Sequence, residues 1–291
     1  MVQACFGAVS AGDGLAACAG RWGAGEGAMT RRIDVFVAGS QKCGTTTLHA
    51  YLRRHPALSA PKLKELHFFD NDRLDWGCPD YGALEAYFSE GDEGRLRYDA
   101  TPIYGYWPGA LSRIRTHNPE ARLIFLFRDP FARAWSQWCM EYALGNEHLP
   151  FAQAIRQGRT RMPREARDAG AWRIYSYVER GYYGAQVARV LRLFPRRQVL
   201  FLKAEDFARD HMATLGRITD FLGLEPFAPC PSMRENARAN RHYPTWPSVA
   251  DHGLIFEELR HDMGLFARLT GLNIEDWHGV IDLPDLRMAA E

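Results

Sequence analysis

The sequence predicts an α/β protein built on a parallel sheet that is flanked by helices. Apolar runs of strand length occur at residues 33–38, 122–127 and 198–202, and continuous apolar runs are typical of strands buried on both faces of a parallel sheet. Each run is followed by a loop and then by a helical pattern. Because ligands of such sheets bind at the carboxyl ends of the strands, we expect the binding residues directly after these runs.

The composition supports a substantial core, in one large or two modest domains. The chain has 291 residues, of which 46% are hydrophobic and 24% are charged. Lysine and arginine total 36 against 35 aspartates and glutamates, so we expect no nucleic-acid partner and any anion site must be local. The six cysteines form no C-x-x-C pair and no cluster with histidine at zinc spacing, which indicates a reduced, cytoplasmic protein without a structural metal.

Residues 1–28 are rich in glycine and alanine and have no pattern that could bury a face, so we expect a disordered lead-in. They lack a basic start and a long apolar run, and no later segment reaches the length of a transmembrane helix. We therefore expect no membrane partner. A single domain is predicted over residues 29–291, and Met29 is a second candidate start.

The strongest functional signal is the turn after the first strand, which reads G-S-Q-K-C-G-T-T-T over residues 39–47. Its glycines allow the backbone to turn sharply and to approach an anion, and the start of the following helix offers N–H groups and a positive dipole end. These features predict a phosphate-binding loop. Its candidate binding residues are Gly39, Gln41, Lys42, Cys43, Gly44, Thr45, Thr46 and Thr47.

This loop differs from an ATP-binding P-loop, which reads G-x-x-x-x-G-K-[ST]. Gly39 and Gly44 have the required spacing, but Thr45 stands where the lysine belongs and Lys42 lies inside the loop. The loop is therefore P-loop-like and suited to a 5′-phosphate rather than a γ-phosphate. The alternative is a plain glycine turn, and the coincidence of the lysine, both glycines and the threonines at one junction argues against it.

The string G-x-x-K-x-G-T-T after a strand resembles the 5′-phosphosulfate loop of sulfotransferases that use 3′-phosphoadenosine 5′-phosphosulfate (PAPS). The resemblance implies a single sulfotransferase domain, with PAPS as co-substrate and adenosine 3′,5′-bisphosphate (PAP) as product. It also implies that no metal is required, since Lys42 and the N–H groups of the loop would do what Mg²⁺ does for nucleotides.

The segment K-L-K-E-L-H-F-F-D at residues 62–70 holds three groups that could do chemistry: Glu65, His67 and Asp70. We expect a short extended stretch followed by a loop, in which Glu65 and His67 would face the same side. A surface charge cluster beside two core phenylalanines is the alternative. The segment resembles the part of heparan-sulfate-type sulfotransferases that carries the catalytic glutamate. This implies that Glu65 is the general base and that His67 supports it.

The apolar run at 122–127 ends in Arg128-Asp129-Pro130, after which a helical pattern begins. Arg128 and Ser136 resemble the R-D-P-x-x-R-x-x-S element that holds the 3′-phosphate of the nucleotide in this family. Arginine supplies fork-shaped donors suited to phosphate, and serine adds a hydroxyl. An ordinary ion pair between Arg128 and Asp129 is the alternative.

A further strand is predicted at residues 95–100 and is followed by T-P-I-Y, which resembles the T-P-x-Y segment of the family. Heparan-modifying members often carry a lysine just before that segment, where this chain has Ala100. The departure argues against a polyanionic saccharide acceptor.

The proline-rich segment at residues 236–247 is predicted to be a loop that holds Arg238 and Arg241. Relatives place a basic loop here, across the adenosine and its 3′-phosphate, and which of the two arginines binds stays open. Helices are predicted at residues 181–194, 207–222 and 254–269, and the basic segment at 146–180 carries no assigned motif.

Together the motifs predict transfer of a sulfuryl group from PAPS to a hydroxyl, or less readily an amine, of a small-molecule or saccharide acceptor. Two other classes stay open. An ATP-dependent P-loop kinase is disfavoured by Thr45 and by a strand that ends in R-D-P rather than in an acidic Mg²⁺ ligand. A non-catalytic nucleotide-binding protein would not need Lys42 and Glu65 together. The sequence predicts neither the identity of the acceptor nor the oligomeric state.

Overall fold

The computed structural model describes residues 30–163, 170–233 and 243–277, so the predicted lead-in at 1–28 lies outside the described residues. The described strands are β1 (Val35–Gly39), β2 (Leu58–Ser59), β3 (Leu96–Asp99), β4 (Arg122–Phe127) and β5 (Val199–Lys203). They form one sheet in the order β2-β3-β1-β4-β5, and all neighbouring strands run parallel. The predicted α/β class is confirmed.

β1 is the central strand, and the chain adds strands first on one side of it and then on the other. β2 and β3 lie on one side of it, β4 and β5 lie on the other, and Val35 of β1 is opposite Arg122 of β4. β1 is buried along its whole length and β4 at all but its first residue, as their continuous apolar patterns predict. The loops after β1 and β4 therefore start side by side, at the edge of the sheet where α/β proteins bind ligands.

Helices flank this sheet, and in the parts of the chain that the structure describes none is both long and apolar enough to cross a bilayer. The α-helices are α1 (Thr45–Leu52), α2 (Ala110–His117), α3 (Pro130–Ala143), α4 (Phe151–Gln157), α5 (Ala171–Ile174), α6 (Tyr183–Leu193), α7 (Ala204–Arg209), α8 (His211–Leu222) and α9 (Val249–Thr270).

The sheet separates two apolar layers. On one face, the rings of Phe125 and Phe127 lie 5.9 Å apart, and Phe127 packs edge-on against Phe266 of α9. On the other face, Val37 and Leu126 belong to a separate cluster with α1 and α8. Successive residues of a strand point to opposite faces, so β4 supplies both layers. This packing fixes the strand ends from which the functional loops leave.

Two helix boundaries differ from the prediction. The segment 207–222, predicted as one helix, is divided between α7 and α8, because Asp210 leaves the helical conformation and caps α8 by accepting a backbone N–H at 2.9 Å. α9 begins at Val249 rather than at residue 254, since Ser248 and Asp251 form a capping box. The S-x-x-D pattern of residues 248–251 is the sequence signal for this start of α9.

Candidate active site

A cleft of about 720 Å³ opens at the carboxyl edge of the sheet, where the loops after β1 and β4 meet. Its volume lies in the range of small-molecule and cofactor sites. Segments far apart in the sequence contribute to its wall. The predicted site residues in this wall are Gln41, Lys42, Cys43, Gly44, Thr45, Thr46, Thr47, Glu65, Arg128 and Ser136.

The phosphate loop (residues 39–47) turns through two residues in the left-handed conformation, Lys42 with φ 68° and Gly44 with φ 87°. Gly44 occupies the position before α1, so no side chain caps the first turn of that helix. Helix starts of this kind offer backbone N–H groups and a partial positive charge to an anion. The loop is therefore built to hold a phosphate.

Gly39 and Cys43 contribute to the loop through buried packing. Gly39 is not part of the cleft wall; it ends β1 at a point where a Cβ atom would come within 2.5 Å of the Phe125 ring. The thiol of Cys43 is buried 3.9 Å from the Tyr183 hydroxyl, and burial raises its pKa to about 12. Gly39 therefore acts through packing, and Cys43 presents no reactive thiol to the cleft.

Arg128 and Ser136 line the cleft beside the phosphate loop. The neighbouring carboxylate of Asp129 acts as a helix cap, accepting the N–H of Ala132 at 2.7 Å at the start of α3. Burial raises the pKa of Asp129 to about 7. The carboxylate of Asp129 thus serves as a helix cap, while Arg128 lines the cleft.

Glu65 lies in the cleft wall, and His67 joins it to Asp70. The Nε2 atom of His67 is 3.5 Å from Glu65 Oε2, and its Nδ1 atom is 3.0 Å from Asp70 Oδ2. The predicted extended conformation is wrong, because Glu65 and His67 have φ values of 63° and 51° and β2 ends earlier, at Ser59. We call residues 64–70 the Glu65 turn.

Lys42, Glu65 and His67 are the non-glycine residues with positive φ in the described parts of the chain. Such values are uncommon outside glycine, and strained backbone of this kind clusters at functional sites. The same three residues are the ones that the sequence motifs nominate for catalysis. The backbone geometry thus marks them independently of any motif.

The charges of the Glu65 turn are tightly coupled. Burial alone would raise the pKa of Glu65, but a hydrogen bond from His67 together with the charge and hydrogen bond of Lys64 outweighs it and lowers that pKa to about 2. Hydrogen bonds to Asp70 and Glu65 raise the pKa of His67 to about 9. At neutral pH, Glu65 is therefore ionised and His67 protonated, so Glu65 is the group able to accept a proton.

The T-P-I-Y segment holds the Glu65 turn in place. Asp99 is fully buried at the end of β3, and the hydroxyls of Thr101 and Tyr104 both donate to it at 2.7 Å. Asp99 also accepts the backbone N–H of Leu66, in the middle of the turn. Burial raises the pKa of Asp99 to about 6. The motif thus ties the sheet to the backbone that carries the candidate base.

Sequence reasoning missed two arginines in the segment 146–180. Arg180 is 3% exposed and donates to the Gln41 side chain in the phosphate loop and to the backbone carbonyl of Arg173. Arg173 in turn donates to the carboxylate and carbonyl of Asp70. The two arginines therefore connect the phosphate loop to the Glu65 turn. For Arg180 the available signal was the tyrosine-rich stretch Y-S-Y-V-E-R-G-Y-Y, in which a buried arginine needs partners.

Aromatic rings also line the cleft. They belong to Tyr51, Phe207 and His211, with the rings of Tyr51 and His211 stacked at 5.4 Å and those of Tyr51 and Phe207 edge-on at 5.8 Å. Tyr51 and Phe207 are buried, and His211 is the partly exposed ring of the three. Arg238 and Arg241, predicted to cover the nucleotide, lie outside the described residues.

The chain is similar to known proteins over most of its length. A family model described as a sulfotransferase domain matches residues 32–237. Heparan sulfate glucosamine 3-O-sulfotransferase 3B1 of Homo sapiens is 31% identical over 196 residues, which cover 66% of this chain and 46% of that protein. A heparan sulfate glucosamine 3-O-sulfotransferase 6 of Mus musculus is 31% identical over 192 residues, covering 66% and 52%. The chain thus spans about half the length of the curated relatives it matches.

Among solved structures, the crystal structure of a sulfotransferase from Alicyclobacillus acidocaldarius matches with a TM-score of 0.72 and 26% identity, covering 86% of this chain and 100% of that one. A parallel α/β sheet with a cleft at its carboxyl edge defines the class of protein, and the match to the sulfotransferase domain gives the family within that class. This chain belongs to the sulfotransferase family. The family predicted from the motifs is confirmed.

Proposed function

We propose that the protein transfers the sulfuryl group of PAPS to an acceptor hydroxyl, giving PAP and a sulfated product. The proposal rests on one observation: a single cleft is lined by the phosphate loop, by Arg128 and by an ionised Glu65, and Glu65 is paired with His67. Membership of the sulfotransferase family and the likeness to the bacterial structure support it.

Each part of the cleft suits one part of PAPS. The phosphate loop and the first turn of α1 would hold the 5′-phosphosulfate through backbone N–H groups and threonine hydroxyls. Arg128 and Ser136 would bind the 3′-phosphate, for which the guanidinium fork is suited. The partly exposed ring of His211 in the cleft wall would meet the adenine.

The chain's own side chains supply the chemistry. As a bond forms between the acceptor oxygen and sulfur, the bond from sulfur to the 5′-phosphate oxygen breaks, and Glu65 takes the proton that the acceptor hydroxyl releases. Lys42 stabilises the charge on the departing phosphate oxygen. His67, protonated at neutral pH, holds Glu65 in position and in its ionised form.

ATP-dependent phosphoryl transfer is the competing function. A P-loop kinase needs an acidic Mg²⁺ ligand near the phosphates. Here the acid after β4, Asp129, is buried and used as a helix cap. This use of Asp129 favours sulfuryl transfer.

Calorimetry tests the nucleotide, and mass spectrometry tests the reaction. PAP without Mg²⁺ is expected to bind at least roughly tenfold more tightly than ATP with Mg²⁺, a difference of about 1.4 kcal/mol. Incubation of a metabolite pool with PAPS is then expected to give products heavier by one sulfuryl group. Tighter binding of ATP with Mg²⁺ would favour the kinase, and PAP binding without any sulfated product would favour a non-catalytic binding protein.

The acceptor in this proposal bears a hydroxyl and is a small molecule or a saccharide; an amine acceptor is the second choice. We also propose a cytoplasmic location, which the cysteine spacing supports. Cys43, Cys78, Cys139 and Cys230, the cysteines among the described residues, are free thiols. Cell fractionation is expected to recover the protein with cytoplasmic markers, and recovery from a secretory compartment would refute this location.

A further inference from the structure

In the described parts of the chain, the buried arginines are Arg97, Arg133 and Arg180. Arg97 is paired with the carboxylates of Asp92 and Glu85, at 2.8 Å and 2.7 Å, as buried charges usually are. Arg133 and Arg180 instead donate, within the described residues, to uncharged acceptors. Burying a charge without a carboxylate partner is costly, so the position of such an arginine needs an explanation.

Arg180 is the one of these two that reaches the phosphate loop. Its Nε atom donates to the Ser176 hydroxyl at 2.7 Å, and one terminal nitrogen donates to the backbone carbonyl of Arg173 at 2.7 Å. The other terminal nitrogen donates to the side-chain oxygen of Gln41. The guanidinium is therefore held on three sides, and one of them is a residue of the cleft wall.

This contact fixes the orientation of the Gln41 amide. Arginine has donors and no acceptor, so the amide atom that faces Arg180 must be the oxygen. The amide NH2 group is then turned away from Arg180, and within the described residues it has no internal acceptor. Because Gln41 lines the cleft beside Lys42, its two N–H groups remain available to an anion that the phosphate loop holds.

The charge of Arg180 also remains available to such an anion. Glu141 is the carboxylate that most favours the charged form of Arg180, but it accepts from Asn146 at 2.9 Å and forms no printed-length bond to the guanidinium within the described residues. Burial lowers the pKa of Arg180 to about 10, so the group is still protonated at neutral pH. A buried charge is weakly screened and acts over several ångströms.

We propose that Arg180 is a positioning residue for the donor: it orients the Gln41 amide so that its N–H groups bind the 5′-phosphosulfate, and its buried charge strengthens that binding. The inference rests on the proposed function, since it assigns a role towards one end of PAPS. Arg180 does not touch the donor and acts through Gln41. Its effect should therefore depend on the 5′-phosphate, which distinguishes it from an arginine that only stabilises the core.

Calorimetry with the full-length protein and two nucleotides tests this dependence. Arg180→Met is expected to raise the Kd for PAP roughly tenfold, the effect of weakening a charged hydrogen-bonded contact. For adenosine 3′-phosphate, which lacks the 5′-phosphate, the Kd should stay within about twofold of wild type. An equal loss for both nucleotides, or no loss for PAP, would overturn the inference.

Arg189→Met is the matched control. Arg189 also donates to uncharged acceptors, the backbone carbonyls of Gly105 and Tyr106, but it does not line the cleft. We expect this variant to lower the melting temperature and to leave the Kd for PAP within about twofold of wild type. A loss of PAP affinity as large as that in Arg180→Met would show that general destabilisation explains both, and would refute the role of Arg180.

Gln41→Met gives a second reading that leaves the buried arginine in place, and it decides the matter if Arg180→Met folds poorly. Methionine keeps the length of the side chain but has no N–H donor. We expect the Kd for PAP to rise roughly tenfold and the Kd for adenosine 3′-phosphate to stay within about twofold. Wild-type affinity for PAP in this variant would refute the inference.

The wild-type titration separates the two levels of the account. If the wild-type protein does not bind PAP, the proposed function fails and this inference fails with it. If the wild-type protein binds PAP and the Arg180 and Gln41 variants bind it equally well, only the role of Arg180 fails.

Discussion

Asp99, at the end of β3, accepts a hydrogen bond from the backbone N–H of Leu66, which lies between Glu65 and His67. A buried carboxylate of the sheet thus fixes the peptide group whose two neighbours form the proposed catalytic pair. Left-handed φ values cost of the order of 1–3 kcal/mol each in a non-glycine residue, and the turn contains two of them. The bond to Asp99 offsets part of that cost and fixes where the pair points.

Asp99→Asn should therefore impair catalysis more than nucleotide binding. The amide has one acceptor oxygen where the carboxylate has two, so it cannot serve Thr101, Tyr104 and the Leu66 N–H equally well. We expect kcat to fall roughly 10–100-fold, as small misplacements of a catalytic group do. The Kd for PAP should stay within about twofold of wild type, since about 0.4 kcal/mol corresponds to a twofold change.

The matched control is Asp34→Asn, before the start of β1, where the carboxylate also accepts a backbone N–H but lies at the opposite end of the sheet. It should lower the melting temperature with little effect on kcat. Equal losses of kcat in the two variants would show that Asp99 acts through general stability and not through the Glu65 turn.

Lys64, whose effect on Glu65 comes after that of His67, should help to set the acidic limb of the pH–rate profile. Its ammonium group favours the ionised form of Glu65, whose pKa is lowered to about 2. In Lys64→Met that cation is gone while burial remains, so the pKa of Glu65 rises and the carboxylate becomes protonated at a higher pH. We expect the acidic fall in kcat/KM to move towards neutral pH.

Lys62→Met is the control for this shift, because Lys62 donates to the carbonyl of Ala86 and is exposed. Its pH profile should coincide with that of wild type. An acidic limb that stays in place in Lys64→Met would mean that a group other than Glu65 governs the profile.

Arg128→Ala should weaken PAP binding. Losing one side of a charged hydrogen-bonded contact costs about 2 kcal/mol, which is roughly 30-fold in Kd. The loss should be largely absent for adenosine 5′-phosphate, which has no 3′-phosphate. Arg122→Ala, at the opposite end of β4, is the control, because Arg122 donates to backbone carbonyls of Phe221 and Leu222 and lies away from the cleft. Wild-type affinity for PAP in Arg128→Ala would refute the assignment.

Replacing Gly39 by alanine should lower the free energy of unfolding, whereas replacing Gly216 by alanine should raise it. A Cβ atom at Gly39 would overlap the Phe125 ring, and overpacking of this kind typically costs about 1–3 kcal/mol. A Cβ atom at Gly216, inside α8, meets open space, where alanine is favoured over glycine by up to about 1 kcal/mol. Thermal unfolding of both variants measures the difference. A Gly39→Ala protein as stable as wild type would remove the packing explanation for that glycine.

The sequence predicts the fold and much of the site because the relevant signals are local. Buried strands appear as apolar runs, and the phosphate loop appears as glycines at a strand-to-helix junction. The conformation of the Glu65 turn does not follow in this way, since Glu65 and His67 adopt left-handed φ values that their residue types disfavour. Tertiary contacts decide it.

The same reason explains the arginines that sequence reasoning missed. Arg180 reaches Gln41 across 139 positions of the chain, and Arg173 reaches Asp70 across 103. No periodicity or spacing within a short window encodes such pairs. The break between α7 and α8 could have been predicted from Asp210, because aspartate is a good N-cap residue.

The measurement that tests the central claim most directly is the turnover of Glu65→Gln with PAPS and an accepted hydroxyl compound, alongside its affinity for PAP. Glutamine keeps the size and much of the hydrogen bonding of Glu65 but cannot accept the proton, so turnover should fall by the roughly 10²–10⁴-fold typical of general-base loss. PAP affinity should be nearly unchanged, and His67→Ala should lose less turnover. Near-normal turnover of Glu65→Gln would contradict the account, and a larger loss in His67→Ala would move the base to His67.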